Sequence, residues 1–228
     1  MSNPYITPDL FSFLRDLKAN NDRDWFNANK SRYVEVLKDP LLEFISHFAP
    51  LLHSISPHFQ AIPKANGGSL FRIYRDVRFS ANKDPYKTHA GIHFRHEAGK
   101  NAHAPGFYLH LEPGSVFVAA GTWHPEAELL RNIRNTMVKH PEEWEAIVNN
   151  TAFSENFKLA GDSLKRAPKG FMPDHPLIDD LKRKDFIAVC ELDEDHAFRS
   201  DFMELLVDKW NICSPLVRFL ADASGNPF

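Results

Sequence analysis

The sequence predicts an α+β protein in which a mainly antiparallel sheet packs with N-terminal and C-terminal helices. Three observations carry that prediction. Apolar residues recur at helical spacing from about residue 7 to 55, the pattern changes to alternation near Gly67-Gly68 and holds to about 121, and helical spacing returns over about 122–223. Short loops between the alternating runs imply hairpin connections, which antiparallel strands accept and parallel strands do not. No repeat, low-complexity tract or linker divides the chain, so residues 1–228 are read as a single domain.

The elements follow in order. Thr7, Pro8 and Asp9 form an N-cap, an N1 proline and a first-turn acid, after which Leu10, Phe13, Leu14 and Leu17 share a helical face. Asn20-Asn21-Asp22 breaks that helix. A second starts near Asp24, with Trp25, Phe26, Tyr33, Val36 and Leu37 apolar, and Asp39-Pro40 opens a third that carries Leu41, Leu42, Phe44, Ile45, Phe48, Leu51 and Leu52. Leu70 to Tyr74 reads as a strand, followed by a charged loop from Asp76 to Lys87. Thr88 to His96 alternates again, with Ala90, Ile92 and Phe94 on one face and His89, Gly91, His93 and Arg95 on the other. Phe107 to Glu112, the Pro113-Gly114 turn and Val116 to Ala120 continue the meander. Thr122-Trp123-His124-Pro125-Glu126 opens a helix through about Lys139, and His140-Pro141 starts the next. Residues 151–175 read as irregular, Asp185 to Leu192 as a last strand, and a final amphipathic helix carries Phe202, Leu205, Leu206 and Trp210.

Composition narrows the function classes. With 43% hydrophobic and 12% aromatic residues, the chain has too much to bury for an intrinsically disordered protein. A net charge of −3 argues against general attraction to nucleic acid or to acidic membranes. The two cysteines, Cys190 and Cys213, make no disulfide framework or metal-finger spacing, and both lie in apolar contexts expected to leave them buried and inert. The amino terminus lacks the regions of a signal peptide, and no apolar run approaches the roughly 20 residues that span a bilayer. The expected address is the cytoplasm, with no membrane.

The densest polar segment lies between Arg72 and Arg95, which holds six Arg or Lys against two Asp, a net of +4 that leaves −7 for the rest of the chain. Charge focused in this way raises the local potential where an anion is to be held, and guanidinium groups match carboxylate and phosphate oxygens in pairs. Arg72, Arg75, Arg78 and Lys83 are the candidate anion holders, with Tyr86 to orient or stack. Asp76 and Lys87 complete the segment, and Tyr108 and Trp123 join it as candidate ligand-binding residues. The competing view is structural: Asp76 and Asp84 pair with their neighbours, and Lys83 and Lys87 belong to a solvated loop face.

The run Arg72-x-x-Arg75-Asp76-x-Arg78-Phe79, with Asn82-Lys83 and Pro85-Tyr86-Lys87, resembles the signature of a bacterial conserved-hypothetical family catalogued as domain of unknown function 2461. Asn-Asn-Asp-Arg-Asp-Trp-Phe at 20–26, Phe107 to Pro113, Trp123-His124-Pro125-Glu126 and Leu164 to Gly170 extend the resemblance over nearly the whole chain. It implies kinship. The family brings no established activity or cofactor, so none is implied here.

Alternation places Arg72, Tyr74, His89, His93, Tyr108, His110 and Glu112 on one sheet face. Pairing Ile92 with Leu111 aligns the apolar faces of the two central strands and sets His93 opposite His110, Arg95 opposite Tyr108 and Gly91 opposite Glu112. A slip by two residues keeps the same faces. Six of the 12 histidines fall between His89 and His124. His89 and His93 are about 13 Å apart along a strand, too far to ligate one ion, and cross-strand His93, His110 and Glu112 are the set to consider. No recognised metal spacing is present, and no metal ligands are assigned. A helix beginning at Thr122 or His124 would add its free N–H groups and positive dipole end near the arginine loop.

The best reading is a cytoplasmic protein with an Arg-rich pocket for a phosphate- or carboxylate-bearing small molecule. His93 and His110 are the candidate acid–base groups, because imidazole titrates near neutrality. The alternatives are a nucleic-acid-binding module that stacks bases on the interleaved aromatics, and an interaction protein whose arginines dock an acidic partner. Whether the chain is catalytic, and with what cofactor, is left open. No Walker, Gly-x-Gly-x-x-Gly or His-Glu-x-x-His motif is present.

Overall fold

A computed structural model of the chain describes residues 3–99 and 104–228; His103, one of the six clustered histidines, lies outside them. Helix α1 (Pro8–Ala19) follows Thr7, with Leu10, Phe11, Phe13, Leu14 and Leu17 buried. Asp22 ends the intervening break by capping α2 (Arg23–Ala28), its carboxylate accepting from the Trp25 N–H. Helix α3 (Lys30–Tyr33) passes through a π turn (Val34–Lys38) into α4 (Asp39–Ile55) without a break. The sequence reading placed a new helix start at Asp39-Pro40. The axis continues instead, because Pro40 has no N–H to give and the Asp39 N–H reaches back five residues to Val34.

Strands β1 (Phe59–Gln60), β2 (Ala90–His96), β3 (Gly106–Glu112), β4 (Ser115–Thr122), β5 (Lys158–Ala160) and β6 (Phe186–Leu192) form one antiparallel sheet in the order β1-β2-β3-β4-β6-β5. Helices α5 (Ala127–Lys139), α6 (Pro141–Val148) and α7 (Thr151–Asn156) follow β4, and α8 (Ile178–Leu181) precedes β6. The long α9 (Phe202–Ala223) closes the fold. The architecture is the expected α+β arrangement.

Residues 151–175, read as irregular, hold α7 and β5, and two further sequence expectations are corrected. The β2–β3 register is two residues from the proposed one: Ile92 pairs with Leu109, Gly91 with His110 and His93 with Tyr108. The apolar faces coincide equally well in either register, so facial matching did not discriminate between them. Residues 70–74 are not a strand of the sheet. The segment touches it through the single bridge Leu70–Ile92, and Tyr74 bridges to Tyr86 within the same excursion. Two further hydrogen bonds, His93 N–H to the Ser69 carbonyl and Phe71 N–H to the Gly91 carbonyl, hold the segment along β2.

The sheet has two unlike faces. Ile92, Phe94, Phe107, Leu109, Val118, Ala120 and Ala188 are buried on one of them, where α4 and α9 pack. Phe48 stacks on Phe94 at 5.3 Å, and Trp210 meets Phe94 and Phe107 at 5.6 and 5.5 Å. The opposite face carries the polar side chains of β2 and β3. Among the described residues, no helix is long and apolar enough to cross a membrane.

Candidate functional site

The second face is hollow because side chains are missing from it. Gly106, Ala119 and Gly121 stand together there, since Gly106 pairs with Gly121 and Tyr108 with Ala119. They leave a cavity of about 590 Å³. Phe71, Phe117, Trp123, Ile187 and Val189 supply its apolar walls, and Lys87, His89, His93, Tyr108 and His110 gather the polar groups. At Gly91 and Gly106 an added Cβ would sit 2.6 Å from the Tyr108 hydroxyl and 2.5 Å from His93 Nε2, so the two glycines make room for those groups.

The polar end is a connected network. The Tyr108 hydroxyl lies 3.0 Å from His110 Nδ1, and His110 Nε2 lies 3.5 Å from Glu112 Oε2. Thr88 donates its hydroxyl to Glu112 Oε1 at 2.9 Å, and Lys18 Nζ stands 3.7 Å from the same oxygen. Continuing the register one residue beyond Ala90–Leu111 puts His89 across from Glu112. The His89 and His110 rings are 4.4 Å apart, and one ligating atom from each of His89, His110 and Glu112 lies within 4.8 Å of the others.

Burial and neighbours set the charge states. Burial, aided by the nearby His110, pulls His89 down to about 4. Burial also lowers His110, although Glu112 opposes the shift. Both rings are therefore neutral near pH 7. Burial alone would raise Glu112, but hydrogen bonds from Thr88 and His110 and the charge of Lys18 bring it below the usual carboxylate value. Burial and the Glu112 charge keep the Tyr108 phenol protonated well above its ordinary range. Burial, then the Arg72 charge, lowers Lys87.

The family described as conserved hypothetical protein (DUF2461) matches residues 9–219. The chain belongs to this family. No curated protein and no solved structure matches it.

Two of the runs that carry the DUF2461 resemblance touch in space. Asn21 exchanges two hydrogen bonds with the Tyr86 backbone, accepting from its N–H at 3.0 Å and donating to its carbonyl at 3.1 Å, and Phe26 stacks on the Tyr86 ring at 4.1 Å. This clamp fixes the return of the 70–87 excursion. It also takes Tyr86, 3% exposed, away from any ligand.

The DUF2461 arginine segment divides between the cavity rim and its own loop. Lys87 lines the cavity, its ammonium 5.2 Å above the Phe71 ring and donating to the Arg72 carbonyl at 2.9 Å. Arg75 stands close enough to His89 to depress its pKa, and Arg72 acts likewise on Lys87. Arg78 instead grips Asp76 with two nitrogens, at 2.9 and 2.6 Å, and that pairing holds the Asp76 carboxyl down to about 2. Lys83 donates to the Val77 carbonyl. Tyr74 and Arg72 point outward; Phe71, expected on the opposite side from them, faces the cavity. Of the remaining candidates, His93, His110, Tyr108 and Trp123 all line the cavity.

The rim at Trp123 rests on a residue that sequence reasoning missed. Asp185, 1% exposed, accepts from the His124 N–H at 2.7 Å and from the Asp162 N–H at 2.9 Å, and its Oδ1 lies 3.0 Å from His124 Nδ1. That holds His124 at φ 50°, an uncommon backbone for a residue with a Cβ, and its ring stacks on Trp123 at 4.2 Å. Helix α5 consequently starts later than expected, with Glu126 rather than Thr122 or His124 at the N-cap. His89 and Glu112 were legible on the polar face, but their meeting with His110 depends on the register.

Proposed function

We propose that this protein binds a small organic anion, phosphate- or carboxylate-bearing, in the cavity on the open sheet face. The observation that carries the reading is the asymmetry of the lining: an apolar body of Phe71, Phe117, Ile187 and Val189 ends in a polar cluster beside Lys87. Sites for small molecules have this form, with few polar groups converging in a mostly apolar hollow. Lys87 and Arg75 are cations beside His89 at that end, Lys18 is engaged with Glu112, and Trp123 covers the apolar side. Of Arg72, Arg75, Arg78 and Lys83, Arg75 is the one best suited to hold the anion, acting with Lys87, with Arg72 adding field from outside. His93 and His110 stay the groups suited to move a proton, with no reaction assigned. Two free, buried cysteines support the cytoplasmic expectation.

Thermal shift against inorganic phosphate, sugar phosphates, nucleotides and carboxylates tests the reading. A ligand at 100 times its dissociation constant adds about 2.7 kcal/mol of stability. The shift should vanish in Lys87→Ala and persist in Arg78→Ala, because Arg78 is committed to Asp76. A ligand whose shift ignores Lys87, or a panel with no hit at millimolar concentration, overturns it.

One observation favours a second reading, single-stranded nucleic acid: Phe79 is 96% exposed at the loop tip, with Arg78 5.9 Å from its ring centre. Oligonucleotide binding that weakens steeply with salt and is lost in Phe79→Ala would select it.

A further inference from the structure

We infer that His89, His110 and Glu112 bind one divalent transition-metal ion, with a further coordination position open to the cavity. The inference concerns the floor of the same cavity, but it stands on the ligand atoms alone and holds whichever molecule fills the space above them. Three donors converge, His110 and Glu112 from β3 and His89 from the residue just before β2, each able to offer one atom within 4.8 Å of the others. His110 Nε2 and Glu112 Oε2 are already 3.5 Å apart. Ligand atoms about 2.0–2.1 Å from a tetrahedral ion stand roughly 3.3–3.4 Å from each other, so closure asks for a movement on the order of 1 Å, chiefly of His89.

The atoms that do not converge are the ones already held. His110 Nδ1 meets the Tyr108 hydroxyl, and Glu112 Oε1 takes the Thr88 proton, while His110 Nε2 and Glu112 Oε2 face each other, so an ion between them would replace the proton they share. Metal-ligating imidazoles and carboxylates are characteristically oriented by such partners on their remaining atoms. Two imidazoles and one carboxylate suit zinc and its first-row neighbours, and are poor ligands for calcium or magnesium, which take oxygen. Lys87 and Arg75, the cations beside His89, oppose a bare dication and favour one whose open position carries hydroxide or a carboxylate. A three-ligand site opening into a cavity is the arrangement of an ion that meets substrate, whereas a purely structural zinc is closed by four protein ligands.

The test uses the full, untagged chain, stripped with a chelator and titrated with Zn²⁺ by calorimetry and with Co²⁺ by visible absorption in phosphate-free buffer. The expected result is one tightly held ion per chain, with the intense d–d bands of four-coordinate Co²⁺. Loss of a partner that orients a ligand typically costs 10–100-fold in metal affinity, so Tyr108→Phe should weaken binding by about tenfold and His110→Ala and Glu112→Gln by more than about 100-fold. Glu112→Gln is nearly isosteric and serves where His110→Ala fails to fold; circular dichroism of the stripped variants checks this. No saturable uptake by the wild type, or an unchanged affinity in Glu112→Gln and Tyr108→Phe, overturns the site. The two readings fail separately: metal uptake by the wild type with no anion-induced shift defeats the anion proposal alone, and an anion shift that Lys87→Ala abolishes, with no metal uptake by the wild type, defeats this one alone.

Discussion

Asp185 shows how much one buried side chain can organise. Its two oxygens serve two backbone N–H groups from segments that otherwise have no reason to meet, at His124 and Asp162. Removing it leaves both part-buried donors without their acceptor, each in the lower half of the range of about 1–3 kcal/mol that an unpaired buried group costs. Asp185→Ala is therefore expected to cost about 3 kcal/mol and to lower Tm by roughly 6–12 °C in a chain of this size. Because the same contact holds the turn beneath Trp123, the variant should also weaken any ligand shift, and Asp185→Asn, which keeps one acceptor, should lose less of both. A thermal melt of the two variants checks the order. Nothing in the sequence marked this residue. An Asp just before a strand is ordinary, and its partners lie 61 and 23 positions away.

At the level of elements, the site depends on strands that approach where no side chain stands. Gly121 is the strict position: its φ of 125° is poorly open to other residues, and an added Cβ would lie 2.0 Å from the Phe186 carbonyl oxygen of β6. Gly91 differs, since the atom in the way is the tip of the Tyr108 ring, which can turn aside. Urea denaturation should give Gly121→Ala a loss of about 3 kcal/mol or more and Gly91→Ala about 1 kcal/mol. Gly91→Ala should nevertheless displace the Tyr108 hydroxyl from His110 and reduce metal affinity out of proportion to its stability cost. Alternation sufficed to assign His89, His93, Tyr108, His110 and Glu112 to one face, because parity survives a slip of two residues. Parity says nothing about which of them are neighbours, and the two-residue difference is what exchanges His93 for His89 beside His110 and Glu112. The 70–74 run misled for a different reason: Leu70 and Ile73, three positions apart, turn inward from a covering segment while Phe71 faces the cavity, so the run lacks strand parity and makes only isolated bridges.

Across the whole molecule, one apolar cluster runs from α1 and α4 through the closed sheet face to α9. The helical faces at both ends of the chain were legible because 3.6-residue spacing needs only local sequence. The fate of the arginines was not, since Asp76 and nearby carbonyls claimed Arg78, Lys83 and Lys87 through contacts that only the loop's path decides. The two thiols report on this core. Burial raises both, Cys213 being fully enclosed, so neither offers appreciable thiolate at pH 8 in the folded state. Ellman's reagent should find no reactive thiol in native protein and two in denaturant, with Cys213 labelling only as fast as the core opens; rapid labelling of Cys213 in buffer would contradict the packing. The sheet's margins carry a last consequence. Its outermost strands are two and three residues long, and the flank of β2 is hydrogen-bonded by residues 69 and 71. A strand from another copy would find almost no ladder to extend, so the same chain excursion that roofs the cavity also guards the molecule against edge-to-edge polymerisation.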